Sequence, residues 1–167
     1  SSTNFDNWPL FSKMILFLLM FIGGSSGSTV GAIKSIRILL LLKSMKTELM
    51  GIIHPRAVYS VRLGHRTIEE KTIAEIKSFF FIYILVFTVA VIVVSLDGFD
   101  VFTTLSAAAA ALGNTGVGFG MIGPTGNFSQ MSSLSKTILS ICMMMGRLEI
   151  YPILVLAVPS LWKKVNI

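Results

Sequence analysis

Charge and cysteine are scarce in this chain of 167 residues. Only 13% of its residues are charged and 53% are hydrophobic, where a globular domain carries about 25% charged residues. With a mean hydropathy of +0.80 and long uncharged runs, the composition excludes an ordinary water-soluble domain and indicates a membrane protein. The one cysteine, Cys142, lies in an apolar run, which excludes an intrachain disulfide and a cysteine metal cluster. No nucleophile paired with a base and no phosphate-binding loop stands out, so an enzyme is not expected, nor a covalent cofactor. Lysine and arginine are missing from residues 97–135, as on the translocated side of a membrane. The net charge of +6 could fit a nucleic-acid partner, but 7 of the 14 basic residues fall within residues 43–77. The asymmetry therefore reads as membrane topology, and no nucleic acid is expected. The opening Ser1-Ser2-Thr3-Asn4 carries neither an initiator Met nor a signal-peptide pattern, so a longer parent polypeptide is expected.

What the chain does have is glycine in two places. Residues 112–120 read LGNTGVGFG, with Gly113, Gly116, Gly118 and Gly120 too dense for a helix. They follow an alanine-rich run, VFTTLSAAAAAL at residues 101–112, with Asp100 as expected N-cap. Twelve residues make about 18 Å of helix, too short to span a bilayer. The run is expected to enter and turn back, with Gly123, Pro124 and Gly126 making the return. Non-helical backbone at membrane depth survives only when enclosed by protein or lining a water-filled cavity. A half-helix aims its negative end at the membrane centre, and a strand of carbonyls beyond it can replace the water a cation sheds. The alternative is an alanine-rich surface helix followed by a loop.

The second glycine stretch, GGSSGSTVG at residues 23–31, interrupts an apolar segment of 33 residues, 10–42, opened by Trp8-Pro9. A continuous helix there would be about 50 Å long against a hydrocarbon core of about 30 Å. Gly23, Gly27 and Gly31 recur every four residues, as on a helix-packing face. Against that, Gly24, Ser25, Ser26, Ser28 and Thr29 fill the gaps with small residues that compete for backbone hydrogen bonds. The length favours an unwound intramembrane loop, a candidate gate.

Residues 43–77 are polar and set Lys43, Lys46, Arg56, Arg62, Arg66, Lys71 and Lys77 against Glu48, Glu69, Glu70 and Glu75. A cytoplasmic connection is expected, with helix-breaking cues at Gly51 and Pro55 and a short hairpin around Leu63-Gly64. His54 and His65 read as solvated loop residues, since no cysteine or close second histidine supports a metal site. Residues 78–96 carry no charge and read as a spanning helix. Residues 132–162 read as the last span, too long for a straight crossing and so tilted, bent near Pro152 or Pro159, or extending beyond the bilayer, with Lys163-Lys164 anchoring a cytoplasmic end. Met143, Met144 and Met145 are read as packing residues.

Arg147 and Glu149 stand inside that span, where ionisable groups are costly and face a cavity or a partner. Two residues apart on a helix they do not face one another, so a mutual ion pair is disfavoured. Arg147 is expected to face the pore as a barrier to cations, opposite the loop at residues 23–31, and Glu149 to tie two helices together. Lys34 and Arg37, nearer the cytoplasmic end, are expected to snorkel.

Four segments in fixed order, FIGGSSGSTVGAIKSIRILLLLK, HPRAV, GNTGVGFG and GRLEIYP, resemble the Trk/Ktr/HKT superfamily of potassium transporters, in its TrkH branch. The resemblance covers essentially the whole chain. It implies an all-α membrane protein of potassium-channel-like helix, pore loop, helix repeats with a broken intramembrane helix. Residues 1–42 would end the third repeat, 43–77 form a cytoplasmic connection, and 78–167 make the fourth repeat. It further implies filter carbonyls at Asn114, Thr115, Gly116 and Val117, with K⁺ at Asn114 and Thr115 and Gly116 as the filter glycine. The gating loop would comprise Gly23, Gly24, Ser25, Ser26, Gly27, Ser28, Thr29 and Gly31, and Arg147 the pore barrier. Implied partners are membrane lipid, the remaining repeats of the subunit, a second subunit in a homodimer, and a cytosolic nucleotide-binding regulator of the TrkA/KtrA kind. The implied location is the cytoplasmic (inner) membrane, multi-pass, with the C-terminus inside. The expected function is potassium uptake through a pore with a backbone-carbonyl filter, gated by the intramembrane loop. Because the filter reads NTGVG rather than a TVGYG-like signature, a sodium or mixed monovalent cation pathway is an alternative, and a secondary transporter with broken helices, using Arg147 as substrate ligand, is another. A non-conducting membrane scaffold is the remaining alternative.

Overall fold

A computed structural model describes residues 4–25, 31–54, 60–64, 66–148 and 150. A 3₁₀ turn, Phe5–Asn7, leads into α1, Leu10–Phe21, which starts directly after Pro9. The apolar segment then breaks where its glycines begin, and α2 resumes at Ser35–Ile53. The helical packing-face reading of Gly23 and Gly31 does not hold, because neither residue is in a helix.

Two boundaries differ from the sequence reading. Helix α2 continues past Leu42 and through Gly51 to Ile53. Nothing among the described residues lies within 4 Å of a Cβ placed at Gly51, and one interior glycine costs only about 1 kcal/mol. The helix stops at His54, whose φ of −128° and ψ of 77° lie outside the helical region, which a following proline such as Pro55 disfavours. Helix α3, Glu70–Ser95, begins eight residues before the uncharged run, because its first two turns are amphipathic, burying Ile76 beside Leu40 and Val61. Between the two helices lies the expected hairpin, β1 Arg62–Leu63 paired antiparallel with β2 Arg66–Thr67. Lys77 bonds Glu48, and the Ser44 hydroxyl donates to the same carboxylate at 3.1 Å. These contacts, Lys77 foremost, hold the Glu48 carboxyl below its usual range.

Among the described residues, α3 is the one helix long and apolar enough to cross a membrane by length and composition. Helix α4, Val101–Gly113, is capped by Asp100 as expected, with Asp100 Oδ2 accepting from the Phe102 N–H at 3.0 Å. Helix α5, Ser133–Arg147, is capped by Ser132. Small side chains let α4 occupy the centre, and all of its residues from Ser106 to Gly113 are buried. Around it pack Phe79, Tyr83, Ala90 and Val94 from α3 and Leu139, Cys142 and Met145 from α5. Met143 packs against that core while Met144 is exposed, so the methionine reading holds for two of the three. The Arg37 guanidinium lies over the Phe79 ring, 4.2 Å from the centroid.

Candidate functional site

The buried helix α4 ends in mid-protein, and its end is where the candidate residues meet. Asn114 takes the left-handed conformation, φ 53° and ψ 33°, a common helix terminator for asparagine as well as glycine. Its N–H bonds Ala111 O at 3.2 Å, and the Thr115 N–H bonds Ala110 O at 3.1 Å. The chain then turns outward. Thr115 and Gly116 are exposed and Val117 is half-buried. Gly116 has φ +76°, and no atom among the described residues lies within 4 Å of a Cβ placed there. The requirement for glycine at this position is therefore conformational, and the space beside it is open. Beyond Gly116 the strand is fixed: the buried Phe119 donates its N–H to Ser106 Oγ at 3.0 Å, and Ser106 in turn donates to Thr103 O at 3.1 Å.

Three other segments close on the end of α4. The broken helix returns so that the Ala32 N–H reaches Leu112 O at 3.3 Å. A Cβ at Gly31 would lie 2.7 Å from Asn114 Nδ2 and 3.0 Å from Gly113 O. From α1, Met20 O would lie 2.7 Å from a Cβ at Gly113. From α5, Met143 O accepts from Asn114 Nδ2 at 3.0 Å, and a Cβ at Gly146 would collide with Leu112 O. Gly31 and Gly146 thus owe their identity to close approach, both against the Asn114 amide.

The two limbs of the broken segment also hold each other. The Gly23 N–H bonds Ile33 O at 2.8 Å, the Ile33 N–H bonds Phe21 O at 3.2 Å, and Ser35 bonds Gly24 O through both its N–H and its hydroxyl. Of the expected gating loop, Gly23, Gly24, Ser25 and Gly31 are described, and Ser26, Gly27, Ser28 and Thr29 lie outside the described residues. Gly31 is brought against Asn114. Arg147 is exposed at the last residue of α5, one position beyond Gly146. Glu149, Arg56, His65, Pro152 and Pro159 fall outside the described residues.

Known proteins match this chain over nearly its whole length. The family described as TrkH, cation transport protein, matches residues 1–164. The chain belongs to this family. It is similar to the Trk system potassium uptake protein TrkH of Escherichia coli K12, 41% identical over 157 residues, which are 94% of this chain and 32% of that protein. The Trk system potassium uptake protein TrkG of the same organism is 35% identical over 163 residues, 98% of this chain and 33% of TrkG. The crystal structure of the potassium transporter TrkH from Vibrio parahaemolyticus superposes with a TM-score of 0.85 at 38% identity, over 97% of this chain and 34% of that one. The chain thus spans about a third of the length of these TrkH-family relatives. Its fold is the all-α membrane fold of the family.

Two side chains that meet this loop escape sequence reasoning. Asn114 was assigned only through its carbonyl, yet its amide reaches α5; an asparagine directly after Leu112-Gly113 is the available signal. Asp6, which bonds the Gly120 N–H at 3.0 Å, carried no local signal at all.

Proposed function

We propose that this chain forms the last part of a potassium uptake subunit. Residues 1–42 complete one repeat, 43–77 connect on the cytoplasmic side, and 78–167 form the closing repeat. In this reading, K⁺ passes outside the end of α4 along carbonyls of Asn114, Thr115, Gly116 and Val117, with sites at Asn114 and Thr115. The carrying observation is Gly116: exposed, at φ +76°, with nothing described within 4 Å of a Cβ. Such a loop leaves open space beside its backbone for a cation, and the negative end of the half-helix α4 adds a field that favours one. Gly23, Gly24, Ser25 and Gly31, with Ser26 to Thr29 between them, act as the gate. Its support is the bond of Ala32 to Leu112 and the contact of Gly31 with Asn114. Arg147 supplies the barrier below the filter. No chemical step is catalysed, and K⁺ is cargo.

The subunit would lie in the inner membrane with its C-terminus inside, among lipid and the remaining repeats of the same polypeptide. It would pair as a homodimer and rest on a cytosolic nucleotide-binding regulator touching residues 43–77. Rubidium uptake with sodium competition, by the full-length subunit carrying Gly116→Ser or Arg147→Ala, tests the pathway. Gly116→Ser should weaken the preference for rubidium, and Arg147→Ala should raise flux. Unchanged flux in both, in folded protein, would favour a scaffold. Reversing the charge of Arg56 and Arg62 without effect on regulator binding would remove that contact surface.

A further inference from the structure

We infer that Asp6 is a positioning residue for ion selectivity, fixing the outer end of the fourth filter strand from the neighbouring repeat. The inference rests on the pore reading above. Asp6 lies in the 3₁₀ turn Phe5–Asn7 that precedes α1, and the strand it meets lies 114 positions later in sequence. Its Oδ1 accepts from the Gly120 N–H at 3.0 Å, four residues beyond Gly116. Its Oδ2 fills the space where Gly123 would otherwise carry a Cβ. The turn holds the carboxylate in place, since the Asp6 N–H bonds Asn4 Oδ1 at 3.1 Å and the Trp8 N–H bonds Phe5 O at 3.2 Å. Next to it, the Phe5 ring meets the fully buried Phe119 edge-on, centroids 5.3 Å apart, and Phe102 of α4 packs on Phe119 at 4.9 Å.

The filter strand is thereby held at two levels. Inside one repeat, Ser106 holds the Phe119 N–H; across repeats, a charged acceptor holds the very next N–H, that of Gly120. Charge-assisted bonds to backbone N–H groups are shorter and stronger than neutral ones. Just before these two N–H groups, the Gly118 N–H bonds Ile122 O at 3.0 Å, while the space beside Gly116 stays open. Carbonyl ligands discriminate between cations through the number and placement of their dipoles, so a loosened outer end should blur that discrimination before it stops conduction.

The test compares Asp6→Ala and Asp6→Asn in the full-length subunit, with Gly116→Ser alongside, reading the ratio of rubidium to sodium uptake. The ratio does not depend on how much protein reaches the membrane. Asp6→Ala removes the acceptor and should lower the preference for rubidium about fivefold, the scale of one net hydrogen bond. Asp6→Asn keeps an oxygen for the Gly120 N–H and should restore most of it. Equal loss in both variants would overturn the inference in favour of plain charge attraction. An unchanged ratio in Asp6→Ala with a lowered one in Gly116→Ser would overturn it and leave the pore reading standing; no change in any variant would overturn both. Should Asp6→Ala not fold, Asp6→Glu replaces it. The longer carboxylate cannot keep both Gly120 and Gly123 as neighbours, so a lowered ratio with charge retained supports positioning and a parental ratio refutes it.

Discussion

Asn114 sits where the end of α4 meets the broken helix and α5, and two of its properties can be separated by substitution. Its amide donates to Met143 O at 3.0 Å, and its backbone holds φ 53°. Replacing it with glycine keeps the left-handed backbone at no cost and deletes the hydrogen bond, a net loss of about 1 kcal/mol. Alanine deletes the same bond and adds the left-handed penalty of roughly 1–2 kcal/mol. The expected losses are therefore about 1 kcal/mol for Asn114→Gly and about 2–3 kcal/mol for Asn114→Ala. Gly31 and Gly146 approach the amide closely, so deleting it also leaves a small gap in both variants, larger by one Cβ in Asn114→Gly. Equilibrium unfolding of the full-length subunit in mixed detergent micelles reads both values. Asn114→Ala as stable as Asn114→Gly would refute the backbone argument, and both as stable as the parent would refute the bond.

Ser106→Ala orphans the buried Phe119 N–H and should cost about 1–3 kcal/mol in the same unfolding measurement, since an unmet buried donor loses its full desolvation energy. Gly146→Ala drives a methyl into Leu112 O; thermal unfolding should show a loss of about 1–3 kcal/mol, and an unchanged midpoint would mean that α5 does not approach α4 as described. Hydrogen bonds from Ser132, its hydroxyl foremost, hold the Asp97 carboxyl below its usual range, and Asp97 Oδ2 accepts from the Ser132 N–H at 3.1 Å. A depressed carboxylate contributes stability that is fully present above its unfolded pKa and is lost as pH falls through the folded one. The parent should therefore lose stability below about pH 4, and Asp97→Asn should flatten that part of an unfolding profile against pH.

The sequence made legible those features that depend on local chemistry. Small residues at 23–31 cannot sustain a helix between two apolar halves, and α1 indeed ends at Phe21 with α2 beginning at Ser35. Asp100 ahead of a short alanine-rich run announced α4, whose twelve or thirteen residues are too few to span. The ends of α2 and α3 were less legible, because residues 43–53 and 70–77 are charged and a polar helix has no hydrophobic run to mark it. There, burial of Leu40, Val61 and Ile76 in one cluster decides the outcome, a contact between segments far apart in the chain. The same holds for the site. Gly116 could be picked out by its place in the loop, whereas Asn114 meets Met143 across 29 positions and Asp6 meets Gly120 across 114. No periodicity or spacing encodes such pairs, so they emerge only once the helices are assembled.

The most direct measurement of the central claim is an anomalous-diffraction map of the full-length subunit crystallised in rubidium. The account predicts ion density against the carbonyls of Asn114 and Thr115, lost in Gly116→Ser. Rubidium density elsewhere in the membrane region, with none at this loop, would contradict it.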